Sequence, residues 1–344
     1  MSQIFIVGEQ RSGSNLLRLI LNESPEIAAP HPPHILQRFM PLIPLYGDLS
    51  RENTFMQLID DVCRLVETNP VPWEGVKLDR QSIYDSCSKH TLVAVFDAIM
   101  SEYARVHKAS SWVCKSMQNI RWADEIDDHF SSPRFIYLYR DPRDVTLSFL
   151  RAPVGEKHPY FIAQKWKELQ EICLHYRNKL PKTRFFSIKY EDLTSDPDSI
   201  VKSLCAFLNI EFNDSMLNFH KSTEATRSAK SSQLWENLTK PIMKSNSQKF
   251  LTGLSEKDIG IVESVAGEVM DKLGYERHSV MPDNEMHFTD QQIKEYDKKN
   301  SRAKQEFQSK LDKEDLRRRQ IQEQVLEDVK SRHSDMDEYR LNSA

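Results

Sequence analysis

Short apolar runs punctuate the chain: Ile4-Phe5-Ile6-Val7, Trp112-Val113-Cys114, Phe135-Ile136-Tyr137-Leu138-Tyr139 and Phe185-Phe186-Ser187-Ile188. Continuous rather than alternating apolarity marks strands covered on both faces, as in a parallel sheet. Stretches with helical spacing follow, at Leu16 to Glu23, Pro142 to Leu150 and Asp198 to Leu208. Strand alternating with helix predicts an α/β fold, a mostly parallel sheet flanked by helices. Ligands of such sheets sit at the carboxyl ends of the strands, so the residues just after each run are the first place to seek chemistry.

The stretch from Leu36 to Tyr103 carries no comparable strand pattern and predicts helices and loops, a cover for the side of the site where an acceptor would enter. After Gly274 and Pro282, the last residues of their kinds, composition changes: Asp290 to Arg340 holds 13 Lys+Arg and 13 Asp+Glu. Phe307, Leu311, Ile321 and Val325 are heptad-compatible there, yet the same seam would bury Glu314, Arg318 and Asp328. The pattern predicts a solvated, charged helical tail over 281–344 behind a catalytic domain over 1–280, and leaves self-association through the tail open.

Charge narrows the function. With 47 Lys+Arg against 51 Asp+Glu and a net charge of −4, the chain is a poor general nucleic-acid or membrane-surface binder, so any anionic ligand must be held locally. No apolar stretch is long enough for a membrane span, and Met1 to Gly8 shows no leader. Five cysteines without a Cys-x-x-Cys pair suggest neither a zinc site nor a disulfide framework; no metal site and a cytoplasmic location are the expectation.

Two of the strand ends carry anion chemistry. The first run leads into Gly8-Glu9-Gln10-Arg11-Ser12-Gly13-Ser14-Asn15, a glycine-punctuated turn opening a helix, where backbone N–H groups and the helix dipole cradle an anion. Gly8-x4-Gly13 is half of a nucleoside-triphosphate P-loop, but Ser14 stands at the lysine position and Asn15 at the Mg²⁺-binding hydroxyl. Arg11 supplies positive charge instead, with Ser12, Ser14 and Asn15 as further donors. The run ending at Tyr139 leads into Arg140-Asp141-Pro142-Arg143-Asp144-Val145-Thr146-Leu147-Ser148, with Asp141 as a natural N-cap and Pro142 as first helical residue. Capping gives no reason for Arg140, which leaves the strand end facing the crevice. Ser148 lies about 9 Å along the helix from Pro142, near enough to share one phosphate with a long arginine.

Arg-Ser-Gly-Ser after one strand and Arg-Asp-Pro-Arg-Asp-Val-x-x-Ser after another resemble the two nucleotide-binding motifs of sulfotransferases that use 3′-phosphoadenosine-5′-phosphosulfate. The resemblance implies a P-loop NTPase-like sulfotransferase fold and metal-independent sulfuryl transfer to a hydroxyl. Arg11, Ser12, Gly13, Ser14 and Asn15 would hold the phosphosulfate end, and Arg140 and Ser148 the 3′-phosphate. Tyr190-Glu191-Asp192-Leu193 and Lys249 are similar to segments of the tyrosylprotein and bacterial branches, where the tyrosine and the late lysine lie near the nucleotide. Many relatives carry a glutamate base shortly after the first motif; here that stretch reads Ala29-Pro30-His31-Pro32-Pro33-His34. Its histidines are therefore the candidate bases, since an imidazole accepts a proton near neutrality. His34 stands ahead of His31 because it opens the run into the next helix. Lys115, just after Trp112-Val113-Cys114, is a candidate for stabilising the charge of the transferring group, with Arg11 as its rival.

The acceptor, a hydroxyl of a small molecule, lipid, sugar or carrier-bound chain, is not written in any motif. Two other readings share the strand-loop-helix logic: a P-loop small-molecule kinase, opposed by Ser14 and Asn15, and a non-catalytic nucleotide-binding adaptor acting through the tail.

Overall fold

The apolar runs become strands, and two residues that no pattern announces join them. The computed structural model describes residues 1–231, 233–244, 246–278, 287–309 and 313–341. Among these, β1 (Ser2–Gly8), β2 (Ile27–Ala28), β3 (Ser111–Cys114), β4 (Arg134–Tyr139) and β5 (Phe185–Lys189) form a five-stranded parallel sheet in the order β2-β3-β1-β4-β5. Register is set by Ser2 opposite Ser111 through Phe5 opposite Cys114, and by Phe135 opposite Phe185 through Tyr139 opposite Lys189. The run from Ile4 to Gly8 is wholly buried, as the unbroken apolarity predicts.

Two compact units make up the chain, and β1 passes from one into the other. The first holds residues 1–5, 21–134 and 312–344. Its core is aromatic: Trp112 meets Phe5 edge-on at 5.3 Å and Phe96 at 5.4 Å, and Phe130 packs against the same indole at 5.7 Å. Residues 36–103 are helices and loops, including Glu52–Glu67 and Leu92–Val106. The second of these helices starts where the Thr91 hydroxyl accepts from Ala94 N. Phe39 and Phe55 in this stretch are fully buried core.

The second unit holds residues 6–20 and 135–311. The long helix Pro159–Lys179 packs its Trp166 and Leu169 inward; Trp166 Nε1 donates to the carbonyl of Arg140 at 3.1 Å, and Tyr137 donates to Gln170 Oε1 at 2.7 Å.

The boundary expected at 280/281, with Pro282, and the seam residue Leu311 lie outside the described residues. Beyond the boundary, helix Asp290–Gln308 belongs to the second unit and helix Lys313–Leu341 to the first. The latter buries Gln322, Val325, Leu326 and Val329, a stripe at helical spacing shifted from the heptad seam, and leaves Ile321 exposed. Gln322 donates to the carbonyl of Leu65 at 3.1 Å, and Asp328 accepts from Arg64 at 2.7 Å. Part of the charge is thus spent on docking rather than solvation. None of the five cysteines is in a disulfide, and no helix among the described residues is long and apolar enough to cross a membrane.

Candidate active site

In the second unit, the loop after β1 bends where side chains resist bending. Gly8, Arg11 and Gly13 all have positive φ, 128°, 67° and 92°. A Cβ at residue 13 would stand 2.5 Å from Cδ2 and Cε2 of Tyr190, so glycine is required twice there, by φ and by the ring. Helix Ser14–Asn22 starts immediately afterwards, with its first N–H groups at the loop. The hydroxyl of Ser12 and Oδ1 of Asn15 are buried and hydrogen-bond to no other described protein atom.

The second motif faces this loop. Asp141 caps helix Pro142–Arg151 by accepting from Arg143 N at 2.9 Å, with Pro142 first, as the sequence predicts. Arg140 is 7% exposed; its Nη1 donates to the Arg11 carbonyl at 3.1 Å and its Nη2 to the Asn246 carbonyl at 2.8 Å. Asp144 Oδ2 is 3.6 Å from Nη2, and the guanidinium lies 4.4 Å from the Tyr190 ring centroid. Its Nε is buried without a hydrogen-bond partner. Arg11 Nε donates to Ser148 Oγ at 2.9 Å. Burial, and then the nearby Arg140, lower the pKa of Arg11. Two guanidinium groups held close together, with donors to spare, are chemically a site for an anion.

The remaining motif residues are braces. Arg143 is buried between Asp141, at 2.9 and 2.7 Å, and Glu263, at 2.5 Å. Asp144 Oδ1 accepts from Phe250 N at 3.0 Å and so fixes the start of helix Phe250–Gly253, just after Lys249. Glu191 accepts from Asp141 N at 3.1 Å and from the Tyr275 hydroxyl at 3.0 Å; burial raises its pKa.

A cavity of about 580 Å³ opens over this cluster, lined by Arg11, Gly13, Ser14, Asn15, Arg140, Ser148, Tyr190 and the exposed Lys249. All but Ser12 of the residues assigned to nucleotide binding from the sequence line one cavity; Ser12 is buried in the loop beneath. Arg151, Trp235, Lys240 and Asn246 line it too. Of these, Asn246 is fixed by donating to the Tyr190 hydroxyl at 2.5 Å. No periodicity marks the segment that carries them.

His31, His34 and Lys115 belong to the first unit. The His31 carbonyl accepts from Asn69 at 3.1 Å and Trp73 at 2.8 Å, which pins the proline-bounded loop. His34, in the left-handed region at φ 59°, precedes helix Ile35–Phe39. Burial, Lys115 and Arg38 together lower its pKa to about 3, so the imidazole is neutral at physiological pH. Its Nδ1 is buried without a hydrogen-bond partner. Among the described residues no cluster of three or more His, Cys, Asp or Glu is arranged to hold a metal ion.

Known proteins resemble the chain in sequence and fold. The chain is 21% identical over 299 residues to protein-tyrosine sulfotransferase 1 of Danio rerio, covering 82% of this chain and 74% of that protein. An uncharacterised protein of Aquifex aeolicus is 22% identical over 242 residues, which is 67% of this chain and 28% of the relative's length. Among solved structures, the sulfotransferase domain from the curacin biosynthetic pathway superposes with a TM-score of 0.56 at 21% identity, covering 80% of this chain and 99% of that one. The sulfotransferase domain of the Synechococcus PCC 7002 olefin synthase superposes at 0.52 and 19% identity, covering 82% and 96%. The sequence profile of the sulfotransferase family matches residues 3–214, more than half of the chain, and the chain belongs to that family.

Proposed function

We propose that the protein transfers a sulfuryl group from 3′-phosphoadenosine-5′-phosphosulfate to a hydroxyl acceptor by in-line displacement without a metal. The observation that carries this reading is the pairing of Arg11 with Ser148 and of Arg140 with the Arg11 backbone over one cavity. The donor fits the residues present: the unpartnered Ser12 hydroxyl and Arg140 Nε offer hydrogen-bond donors at the loop, and Gly13 keeps the turn clear of a Cβ. When bound, the donor supplies the sulfuryl group. Arg11 to Asn15 hold its phosphosulfate end, Arg140 and Ser148 its 3′-phosphate, and Tyr190 and Lys249 complete the nucleotide site. Ser14 and Asn15, in place of the lysine and hydroxyl of a triphosphate loop, weigh against a kinase.

A loose transition state asks the chain mainly for positioning and for charge to meet the leaving phosphate. Arg11 provides that charge in the second unit. In the first, His34 is our candidate for accepting the acceptor's proton, neutral but weakened as a base by burial and the fields of Lys115 and Arg38, with His31 as alternative. The acceptor is a small-molecule, lipid, sugar or carrier-bound hydroxyl, and a reducing, cytoplasmic setting suits five cysteines outside disulfides. The test is incubation with donor labelled in its sulfuryl group and a panel of such acceptors, with chelator present. Labelled sulfate ester supports the reading; labelled phosphate ester from ATP in a parallel incubation, with no sulfate ester, overturns it.

A further inference from the structure

Helix Asp290–Gln308 lies beyond the residues matched by the family profile, is charged nearly all round, and buries just Tyr296 and Asn300. It touches the turn between the two helices behind the anion site, and its Tyr296 also packs with Tyr160 and Ile261. Asn300 Oδ1 accepts from the backbone N of Lys157 at 2.6 Å, and Asn300 Nδ2 donates to Glu156 at 2.7 Å. Lys304 pairs with the same glutamate, and Tyr296 stacks on His158 with ring centroids 4.1 Å apart. Three consecutive turn residues are therefore each held from this one helix.

The residue in the middle is the chemical one. Lys157 is 7% exposed, and its Nζ donates to the carbonyls of Phe149 and Val154, both at 2.7 Å. It also lies 4.9 Å from the centroid of Phe307, on the same clamping helix. A cation on the last carbonyls of a helix offsets the negative end of its dipole. That helix, Pro142–Arg151, carries Ser148 and Arg151 into the cavity, and Ala152 and Pro153 of the turn line it as well. Gly155, at φ 77°, allows the return: a Cβ there would meet the Phe149 ring at 2.5 Å. The charged groups felt by Lys157 are Arg11, Glu156 and Lys304. Burial first, and Arg11 next, lower its pKa to about 8.

We propose that Asn300 and Lys157 are positioning residues for the nucleotide: helix Asp290–Gln308 holds Lys157 through Asn300, and the Lys157 ammonium fixes the helix end that presents Ser148 and Arg151 while adding positive charge behind Arg11. This rests on the nucleotide reading of the cavity. Because the charge of Lys157 favours an anion at Arg11, affinity falls as pH rises through the lysine's pKa.

The experiment is calorimetric titration with 3′-phosphoadenosine-5′-phosphate from pH 7 to 9 on wild type, Lys157→Met and Asn300→Ala, with melting curves for each. Both variants are expected to bind about tenfold more weakly at pH 7, and Lys157→Met to lose the decline in affinity that wild type shows above about pH 8. Variants that melt earlier but bind with wild-type affinity and pH profile overturn the proposal and leave the turn a purely structural clamp. If Asn300→Ala fails to fold, Lys157→Met decides alone; should it too fail to fold, Lys157→Arg, which keeps a charge at all these pH values, must abolish the decline. A wild type that does not bind the nucleotide refutes the reading of the cavity itself, and this proposal with it.

Discussion

Arg140→Ala separates reading a phosphate from merely shaping a loop. In the structure Arg140 makes two hydrogen bonds to carbonyls, at 3.1 and 2.8 Å, lies over Tyr190 and faces Asp144 at 3.6 Å. A charge-assisted pair of hydrogen bonds to a phosphate contributes about 1.5–3 kcal/mol, or roughly 10- to 150-fold in affinity. Binding exchanges some of the carbonyl contacts for phosphate contacts, so the loss falls toward the lower end, about tenfold to thirtyfold. The assay is calorimetric titration with two ligands, 3′-phosphoadenosine-5′-phosphate and adenosine 5′-phosphosulfate, which lacks the 3′-phosphate. The first weakens by that factor and the second by less than about twofold. Equal weakening of both refutes the assignment, because a general distortion of the loop would not distinguish the ligands. Stability reports on the same residue. Burial raises the Asp144 pKa while Arg140 holds it down, so removing the arginine drives it higher. The folded state then binds more protons than the unfolded one near the carboxylate pKa, and the variant loses stability as pH rises from about 4 toward 7. Adding Asp144→Asn restores the melting temperature at pH 7 without restoring affinity.

Gly13→Ala puts a Cβ 2.5 Å from the Tyr190 ring at a φ of 92°; we expect a loss of about 2–4 kcal/mol by denaturant unfolding together with weakened nucleotide binding. Val329→Ala empties a fully buried position in the first unit, costing about 2 kcal/mol in the same unfolding assay, while nucleotide affinity of the folded protein stays as in wild type. With its pKa lowered to about 3, His34 is neutral from pH 5 to 8, so the pH–rate profile shows no inflection from it in that range; an inflection near pH 6.5 that disappears in His34→Ala contradicts the environment described.

β1, β3 and β4 were legible because a parallel sheet buries both faces and leaves their apolar runs unbroken, β5 was legible despite its exposed Ser187, and the capped start at Asp141-Pro142 because its chemistry is local. β2 escaped because two residues carry no period. The docked face of helix Lys313–Leu341 escaped because its stripe includes Gln322 among three aliphatics, while the more conspicuous Ile321 points to solvent. At the site, Arg11, Gly13, Arg140 and Ser148 announced themselves by residue type just after strands. What they do to one another did not: Ser148 holds Arg11, and Arg143 turns away to Glu263, partnerships 137 and 120 residues apart. Lys157 and Asn246 were invisible as well, since Asn300, 143 residues away, holds the backbone of Lys157, and Asn246 meets Tyr190, 56 residues away.

The central claim is that the cavity recognises a bisphosphorylated adenosine without a metal. Calorimetric titration with 3′-phosphoadenosine-5′-phosphate in chelator, beside ATP with Mg²⁺, tests it most directly. The account predicts metal-independent binding of the former, with ATP weaker by at least about tenfold; Mg²⁺-dependent binding of ATP with no binding of the bisphosphate would contradict it.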